Sequence, residues 1–225
     1  MIPARAGSKR IPGKNVRDFI GQPLVVWSVR AALACPALDT IVVSTDDPQV
    51  SSAVAGLGVT VVERPAHLAS DTARTGDVLR DVDAGLGGAA GGPELIVLLQ
   101  PTSPLREAGL VDAGLRQIRA CPSASRLVEV ICQRLFTGRV VGDRWVADFP
   151  DGTRSQDLPP VWYPSGRLYV LRCAAVFDAG PAAPQTCLAR PGQRERCTNI
   201  DHEEDFAWAR YVHDRYASDY DYLRR

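Results

Sequence analysis

The sequence predicts a Rossmann-like α/β fold, in which a mostly parallel sheet is flanked by helices. Short apolar, β-branched runs alternate with longer helical patterns, which indicates successive βαβ units. A turn rich in glycine and cationic residues follows the first apolar run, where α/β proteins commonly bind phosphate groups. The chain has 225 residues, of which 45% are hydrophobic and 23% charged, so one substantial core can be buried. We therefore predict a single domain over residues 1–225.

Helix and strand patterns follow one another along the whole chain. Helical periodicity predicts helices at residues 23–34, 50–57, 72–85, 107–119 and 203–216. Short apolar runs predict strands at residues 40–44, 59–62, 95–99, 127–131 and 167–171, after a first strand at the amino end. Residues 85–92 are mostly glycine and predict a flexible loop.

Residues 133–164 interrupt this alternation. They mix glycine, proline, charged residues and the aromatic residues Phe136, Trp145 and Phe149. We interpret the segment as an irregular insertion or a small hairpin arm, in which residues 144–147 are extended. No internal repeat and no second folding unit is evident beside it.

The overall charge excludes some classes of protein. Lys plus Arg and Asp plus Glu number 26 each, so the chain has no net basic field for general binding to nucleic acid or a membrane surface. We find no signal peptide and no apolar run that could span a bilayer, so we expect a cytoplasmic protein. The six cysteines show neither Cys-x-x-Cys pairs nor zinc-type spacing with histidine, which predicts reduced thiols.

The most informative segment is the turn at residues 1–15. It contains Gly7, Ser8 and Gly13, framed by two prolines, and four cations: Arg5, Lys9, Arg10 and Lys14. Glycines let backbone N–H groups approach an anion closely, and the cations add full positive charge. The spacing differs from Gly-x-x-x-x-Gly-Lys-Ser/Thr, so an ordinary P-loop is not predicted. The alternative interpretation is a solvated basic tail.

The same turn resembles the opening signature of the acylneuraminate cytidylyltransferases, also called CMP-sialic acid synthetases. Residues 2–15 read Ile-Pro-Ala-Arg-Ala-Gly-Ser-Lys-Arg-Ile-Pro-Gly-Lys-Asn. Further blocks follow in the family's order and span nearly the whole chain: residues 41–47, 64–71, 98–106 and 199–205. Because the family has several apolar residues before the first block, either the start of this chain was assigned late or its first strand is unusually short.

The resemblance implies a nucleotidyltransferase fold that binds a cytidine nucleotide. It makes Arg5 and Lys14 the binders of the triphosphate and, with Asp201, the candidate catalytic residues. The other nucleotide-binding candidates are Ala4, Gly7, Ser8, Lys9, Asn15, Arg64, Asp71, Ala73, Thr75 and Gln100. Simpler interpretations stay open: a solvated charge for Arg10, a strand-end salt bridge for Arg64 and a helix cap for Asp71.

A divalent metal, Mg²⁺ or Mn²⁺, is also implied by the resemblance. The matching residues are Asp201 and Asn199, because the family's Asp-x-Asp reads here as Asn-Ile-Asp. One negative charge is therefore missing, and we expect weaker metal binding. The acidic residues 203–205 are interpreted instead as the start of a helix, whose dipole they complement.

The acceptor region departs further from the family. The resemblance implies acceptor contacts from Gln100, Arg154, Gln156, Ser165 and Arg167. The family's Arg-Arg-Gln-x-Leu-Pro and Asn-Gly-Ala-Ile-Tyr runs read here as Arg-Ser-Gln-Asp-Leu-Pro and Ser-Gly-Arg-Leu-Tyr. These changes favour a smaller or differently charged acceptor, with Arg167 suited to bidentate binding of a carboxylate or phosphonate. Alternatively, Arg167 is an outward-facing strand residue.

By resemblance, we expect CMP transfer from CTP to a small anionic acceptor by direct displacement, with release of pyrophosphate. The acceptor is either a sialic-type nonulosonic acid or a small phosphonate such as phosphonoformate. Two alternatives remain: a non-catalytic nucleotide-binding homologue, and a sugar-1-phosphate nucleotidyltransferase that uses another nucleotide. The family is commonly homodimeric, with the arm reaching the partner, so Phe136, Trp145 and Trp162 are predicted either in that interface or buried in their own chain.

Overall fold

The computed structural model describes residues 1–88, 91–178 and 186–224, and its centre is a β-sheet in two hydrogen-bonded sections. The first section contains, in spatial order, β1 (Ile2–Pro3), β4 (Val42–Thr45) and β5 (Thr60–Glu63), and all of its pairings are parallel. The second contains, in spatial order, β11 (Thr186–Pro191), β7 (Ala124–Arg134), β10 (Pro160–Arg172) and β6 (Leu95–Leu98). Strand β10 runs antiparallel to both of its neighbours, and β11 runs parallel to β7. Met1 joins the sections, because its ammonium donates to Val97 O (2.8 Å) and its carbonyl accepts from Leu99 N (3.1 Å).

Two small antiparallel pairs lie outside this sheet, β2 (Asp18–Phe19) with β3 (Gln22–Pro23) and β8 (Gly138–Val141) with β9 (Arg144–Ala147). The helices are α1 (Leu24–Leu33), α2 (Pro48–Val54), α3 (Thr75–Gly85), α4 (Leu110–Arg119), α5 (Glu203–Arg215) and α6 (Ala217–Tyr220). A mostly parallel sheet with flanking helices confirms the predicted fold class.

Three apolar clusters hold these layers together. The largest joins residues of α1, α2 and α4 to β1, β4 and β6, among them Val29, Val50 and Leu115. A second packs α1 against α5 through Trp27 and Val212. The third packs α3 against β6. Helices therefore pack on both faces of the sheet, and its central strands β1, β4 and β6 are largely buried, whereas the edge strands β5 and β11 are mostly exposed.

Most predicted elements are confirmed, and the differences have local causes. The predicted helix at 72–85 begins only at Thr75, after the exposed 70–72 turn. Strand β11 was missed because its sequence, Thr-Cys-Leu-Ala-Arg-Pro, is half exposed at the sheet edge and carries no continuous apolar run. The predicted glycine loop at 85–92 falls partly on residues 89 and 90, which lie outside the described residues. The first strand is short.

A hairpin lies within the segment 133–164, where the sequence predicts an irregular insertion or a small hairpin arm. The outer ends of β7 and β10 pair with each other, and the β8–β9 hairpin extends beyond them, with residues 144–147 extended. Phe136 contacts Phe149 edge to face, with ring centroids 4.9 Å apart. Nevertheless Phe136, Trp145 and Trp162 are all exposed, so burial of these aromatics within their own chain is wrong.

Two further expectations concern membranes and cysteines. In the described ranges, no helix combines the length and apolar character needed to cross a membrane. The six cysteines all lie in the described ranges and form no disulfide there, and two of them, Cys35 and Cys173, are buried.

Candidate active site

A polar pocket lies at the carboxyl ends of β1, β5 and β6, where ligands of open α/β sheets bind. Its volume is about 360 Å³. The residues that line it are Pro3, Arg5, Ser8, Lys14, Asn15, Arg64, Leu68, Ser70, Ala73, Thr75, Val78, Gln100, Pro101, Thr102, Asn199 and Asp201. Sequence blocks almost 200 residues apart therefore meet at one place.

Most of the predicted nucleotide-binding residues line this pocket, and a few do not. Those that line it are Arg5, Ser8, Lys14, Asn15, Arg64, Ala73, Thr75 and Gln100. Ala4, Gly7, Lys9 and Asp71 lie on the same segments but outside the lining. The lining residues Leu68 and Val78 were missed, although Val78 lies about one helical turn after Thr75 and faces the same side of α3.

The basic turn is a shaped loop, so its interpretation as a solvated tail is wrong. Ala4 N donates to Ser44 O (2.9 Å), and Thr45 Oγ1 donates to Ala4 O (2.5 Å). Asn15 Nδ2 closes the turn by donating to Arg5 O (3.0 Å). Gly13, with φ of 66°, adopts a left-handed conformation that a β-carbon would disfavour, and a short 3₁₀ helix follows it.

Lys14 is the most buried cation of the turn, with a side chain only 9% exposed. Its Nζ donates to Ile200 O (2.7 Å) and lies 3.4 Å from Asp201 Oδ1. Arg10 reaches the same carboxylate at 3.5 Å but is mostly exposed. Lys14 thus joins the amino-terminal turn to the segment before α5, and its charge faces the pocket.

At the mouth of the pocket, Asp71 bridges two cations of the turn. Its carboxylate lies 2.7 Å from Arg5 Nη1 and 2.6 Å from Lys9 Nζ. The hydrogen bonds from Lys9 and then Arg5 hold the pKa of Asp71 below its usual value. Asp71 does not cap α3, which begins four residues later with Arg74 at its N-cap position.

Arg64 extends from the end of β5 into the buried floor of the pocket. Its Nη2 donates to Ser44 O (2.8 Å), and its Nε donates to Ser44 Oγ (3.3 Å). These are hydrogen bonds to β4 rather than the strand-end salt bridge that was one alternative. Burial lowers the pKa of Arg64, while the nearby carboxylate of Asp46 opposes that change.

The candidate metal residues lie at the pocket edge. Asn199 Nδ2 donates to Asp201 Oδ2 (2.6 Å). Asp205 Oδ2 accepts from the backbone N–H groups of Asp201 (2.8 Å) and His202 (2.7 Å), which confirms that the acidic run starts a helix. Within the ranges the structure describes, no three His, Cys, Asp or Glu side chains are grouped to hold an ion. Among the residues that line the pocket, Asp201 carries the carboxylate.

The predicted acceptor residues fall into three places. Gln100 lines the pocket, as described above. Arg154 and Gln156 lie on an exposed 3₁₀ turn, where Arg154 Nε pairs with Asp157 at 2.7 Å. Ser165 and Arg167 are buried in β10. The structure thus brings only Gln100 of this set into the pocket.

Arg167 has no exposed surface, so its interpretation as an outward-facing strand residue is wrong. Its guanidinium donates to Glu129 (2.5 and 2.9 Å) and to Glu107 (2.6 and 3.0 Å). Ser165 Oγ donates to the same Glu129 (2.5 Å). Burial disfavours the charge on Arg167, but the two carboxylates outweigh it and raise the pKa of Arg167 above its ordinary value. Four of the five N–H donors of its guanidinium are thus bound to carboxylates inside the protein.

Comparison with known proteins shows which family the chain belongs to. A family model described as Cytidylyltransferase matches residues 1–137. A CMP-N,N'-diacetyllegionaminic acid synthase of Legionella pneumophila is 40% identical over 108 residues, which are 48% of this chain and 47% of the relative. An N-acylneuraminate cytidylyltransferase of Streptococcus agalactiae serotype V is 30% identical over 213 residues, 92% of this chain and 51% of the relative. The chain spans about half the length of these curated relatives.

Two further matches extend the comparison. A pseudaminic acid cytidylyltransferase of Campylobacter jejuni serotype O:2 is 29% identical over 175 residues, which are 75% of each chain. The solved structure of a CMP:2-keto-3-deoxy-manno-octonic acid synthetase complexed with CTP superposes with a TM-score of 0.68 at 19% identity, covering 95% of this chain and 97% of that one. This likeness shows a shared fold. The family match covers more than half of the chain, which therefore belongs to the cytidylyltransferase family.

Proposed function

We propose that this protein transfers CMP from CTP to a sugar acid and releases pyrophosphate. The observation that carries the proposal is the pocket itself, in which Arg5, Lys14 and Arg64 meet Gln100 and Asp201. Three cations around one carboxylate give the site a positive excess, which is what a polyphosphate requires. The proposed catalytic residues are Arg5, Lys14 and Asp201.

The proposed chemistry needs alignment and charge neutralisation more than covalent help. A hydroxyl oxygen of the acceptor attacks the α-phosphorus, the bond to the pyrophosphate oxygen breaks, and the hydroxyl proton leaves to solvent. Arg5 and Lys14 would stabilise charge that develops on the leaving pyrophosphate. Arg64, with Ser70 and Ala73, would surround the cytosine, and the turn would bind the phosphates through Ser8 and nearby backbone N–H groups.

We further propose that Mg²⁺ or Mn²⁺ assists the reaction, held by Asp201 with the carbonyl oxygen of Asn199. The residues fit such an ion because Mg²⁺ takes one or two protein oxygens and completes its shell with phosphate oxygens and water. When bound, the metal would supply positive charge to the polyphosphate. A single carboxylate in the lining implies that the ion depends strongly on the nucleotide.

For the acceptor, the proposal is an α-keto sugar acid. The names of the relatives refer to neuraminic, legionaminic, pseudaminic and octulosonic acids. A phosphonate was expected partly because family residues are missing here and partly because of the added charge of Arg167, but Glu129 and Glu107 neutralise Arg167 inside the fold. Gln100 is the proposed acceptor contact, since its side chain lies in the pocket beside the metal residues.

We also propose a homodimer formed through the arm. Trp145 and Trp162 are 57% and 52% exposed, and Val140 is 71% exposed on the same hairpin unit. Large exposed apolar side chains of this kind are typical of subunit interfaces. Light scattering of the protein and of its Trp145→Ser variant would test this, and a monomeric wild-type protein would contradict it.

The decisive test of activity is a pyrophosphate-release assay with CTP, UTP or GTP against a panel of sugar acids and phosphonoformate. We expect release with CTP and at least one sugar acid, only when Mg²⁺ or Mn²⁺ is present. CTP binding without release for any acceptor would support the non-catalytic alternative. Preference for UTP or GTP would support a nucleotidyltransferase specific for another base.

A further inference from the structure

Arg106 is a completely buried arginine directly behind the pocket. It ends the Gln-Pro-Thr-Ser-Pro-Leu-Arg run that follows β6. Its Nη2 donates to Gln100 O (2.9 Å), its Nε to Arg167 O (2.7 Å) and its Nη1 to Ser28 Oγ (3.0 Å). One guanidinium therefore joins the pocket turn to β10 and to α1.

The partners of Arg106 are unusual because all of them are neutral oxygens. The neighbouring Arg167 is also fully buried, but it is bound by two carboxylates. Burial lowers the pKa of Arg106 to about 9, so the side chain still carries its charge at neutral pH. Burying a cation without a direct counter-ion is costly, and these hydrogen bonds to neutral oxygens replace its hydration.

The Gln100 carbonyl, to which Arg106 donates, accepts further hydrogen bonds within the turn and from α1. Gln100 O also accepts from Ser103 N (3.1 Å) and from Ser28 Oγ (3.3 Å). In the same turn, Thr102 O accepts from Ile200 N (2.7 Å), the residue next to Asp201. The turn therefore links Arg106 to both the acceptor candidate and the metal candidate.

Strand β10 approaches this turn closely at Gly166. Gly166 has φ of 82°, and a β-carbon there would lie 2.6 Å from Ser103 Oγ and 3.5 Å from Gln100 Oε1. The Nε bond of Arg106 to Arg167 O fixes β10 at this close approach. From the carboxyl-terminal segment, Tyr222 OH donates to Arg106 O (2.8 Å), which restrains the arginine backbone itself.

We propose that Arg106 is a positioning residue for the transfer reaction, which fixes the turn at residues 100–104 so that Gln100 and Asp201 keep their places around the substrates. It touches no substrate and acts only through the turn. This inference rests on the proposed function for its kinetic part, whereas its structural part can be measured without turnover.

The first test is Arg106→Lys, which keeps the charge but cannot reach three acceptors at once. Losing one charge-assisted hydrogen bond typically costs about 1.5–3 kcal/mol. We expect kcat to fall about 30-fold, which corresponds to about 2 kcal/mol at 1.36 kcal/mol per factor of ten. The KM for CTP should change less than about threefold, because the phosphate turn is untouched. Arg106→Met should lower kcat further.

Arg172→Lys is the matched control. Arg172 also lies on β10 and donates to backbone carbonyl oxygens, those of Ala124 (3.2 Å) and Ile118 (3.3 Å), and to the exposed carboxylate of Glu94. It lies at the last residue of β10, opposite the start of β6 and away from the pocket. Its kcat should equal that of the wild type. A similar loss in both variants would mean that Arg106 is only a structural residue, and would overturn the proposal.

A double-mutant cycle with Gln100→Ala tests the route of the effect. If Arg106 acts through the turn, Arg106→Lys should add little further loss in the Gln100→Ala background, because coupled residues are not additive. Fully additive losses would overturn the proposal.

Hydrogen exchange gives a readout independent of activity. In Arg106→Lys, the amide of Ser103, which donates to Gln100 O, and that of Ile200, which donates to Thr102 O, should exchange at least tenfold faster, while those of residues 13–17 stay unchanged. Unchanged exchange at Ser103 and Ile200 would overturn the proposal. A wild-type protein with no turnover would refute the proposed function, and the exchange result would still decide whether Arg106 fixes the turn.

Discussion

The amino-terminal turn and the buried cluster of Arg167, Glu107 and Glu129 both bring cations close to carboxylates, yet with opposite balances of charge. In the turn four cations share two nearby carboxylates, Asp71 and Asp201, and the contacts are partly exposed. In the buried cluster the single guanidinium of Arg167 is paired with two glutamates and has no exposed surface. An accessible excess of charge marks a site for an anion, whereas a fully compensated buried charge belongs to the scaffold.

The largest effect is expected from removing the buried charge of Arg167. Arg167→Met leaves the buried Glu129 without its counter-ion, and removing one partner of a buried pair typically costs about 3–5 kcal/mol. We therefore expect the free energy of unfolding, measured in urea, to fall by about that amount. Arg154→Ala, on the exposed turn, is the control and should change it by less than about 0.5 kcal/mol.

The opposite result would restore the interpretation from the sequence. If Arg167→Met kept its stability but raised the KM for the acceptor, Arg167 would be an acceptor-binding residue. A double variant, Arg167→Met with Glu129→Gln, should recover part of the stability, because no buried charge then lacks a partner.

Lys14→Ala tests the accessible end. Removing a donor that stabilises transition-state charge typically costs about 2.7–4 kcal/mol, so kcat/KM should fall at least about 100-fold. Arg17→Ala is the matched control, since Arg17 is a nearby exposed cation that pairs with Glu203 outside the pocket. Equal kinetics in the Lys14 and Arg17 variants would contradict the phosphate-binding role of the turn.

A smaller effect is expected where the chain departs from its family. Asn199→Asp restores the Asp-x-Asp pattern and adds one negative charge beside Asp201. We expect the Mg²⁺ concentration for half-maximal activity to fall several-fold, while Asp201→Asn should raise it at least about tenfold. Glu204→Gln, at an exposed position on α5, should leave it unchanged. An unaltered metal requirement in Asp201→Asn would remove Asp201 from the metal site.

The smallest effect concerns the segment that supports Arg106. Burial raises the pKa of Tyr222 to about 12. The unfolded chain therefore loses this proton first, near pH 10, so stability should fall as pH rises from about 10 toward 12. Tyr222→Phe should cost about 1 kcal/mol at neutral pH through the lost hydrogen bond to Arg106 O, and should flatten this alkaline decline. An unchanged urea midpoint would argue against that bond.

Sequence patterns predicted well which residues meet in the pocket, for a physical reason. Apolar runs that end in Arg5, Arg64 and Gln100 identify strand ends, and parallel strands bring their carboxyl ends to one edge. Local pattern and global topology therefore agree, and the pocket follows from them.

The contacts of Arg167 could not be predicted in the same way. Whether Arg167 faces solvent, a substrate or Glu129 depends on contacts with residues 38 and 60 positions away along the chain, which a local run of residues does not reveal. Strand β11 was missed for a similar reason, because it is held at the sheet edge by pairing with β7 rather than by its own apolar pattern.

The central claim is tested most directly by a crystal structure of the protein with CTP. We expect the triphosphate within hydrogen-bonding distance of Arg5 and Lys14, and the cytosine beside Arg64 and residues 70–73. A second cavity, of about 350 Å³, lies at the other end of the sheet beside Met1, Leu38 and Val97. CTP bound there, or anywhere else with the amino-terminal turn free of phosphate contacts, would contradict the claim.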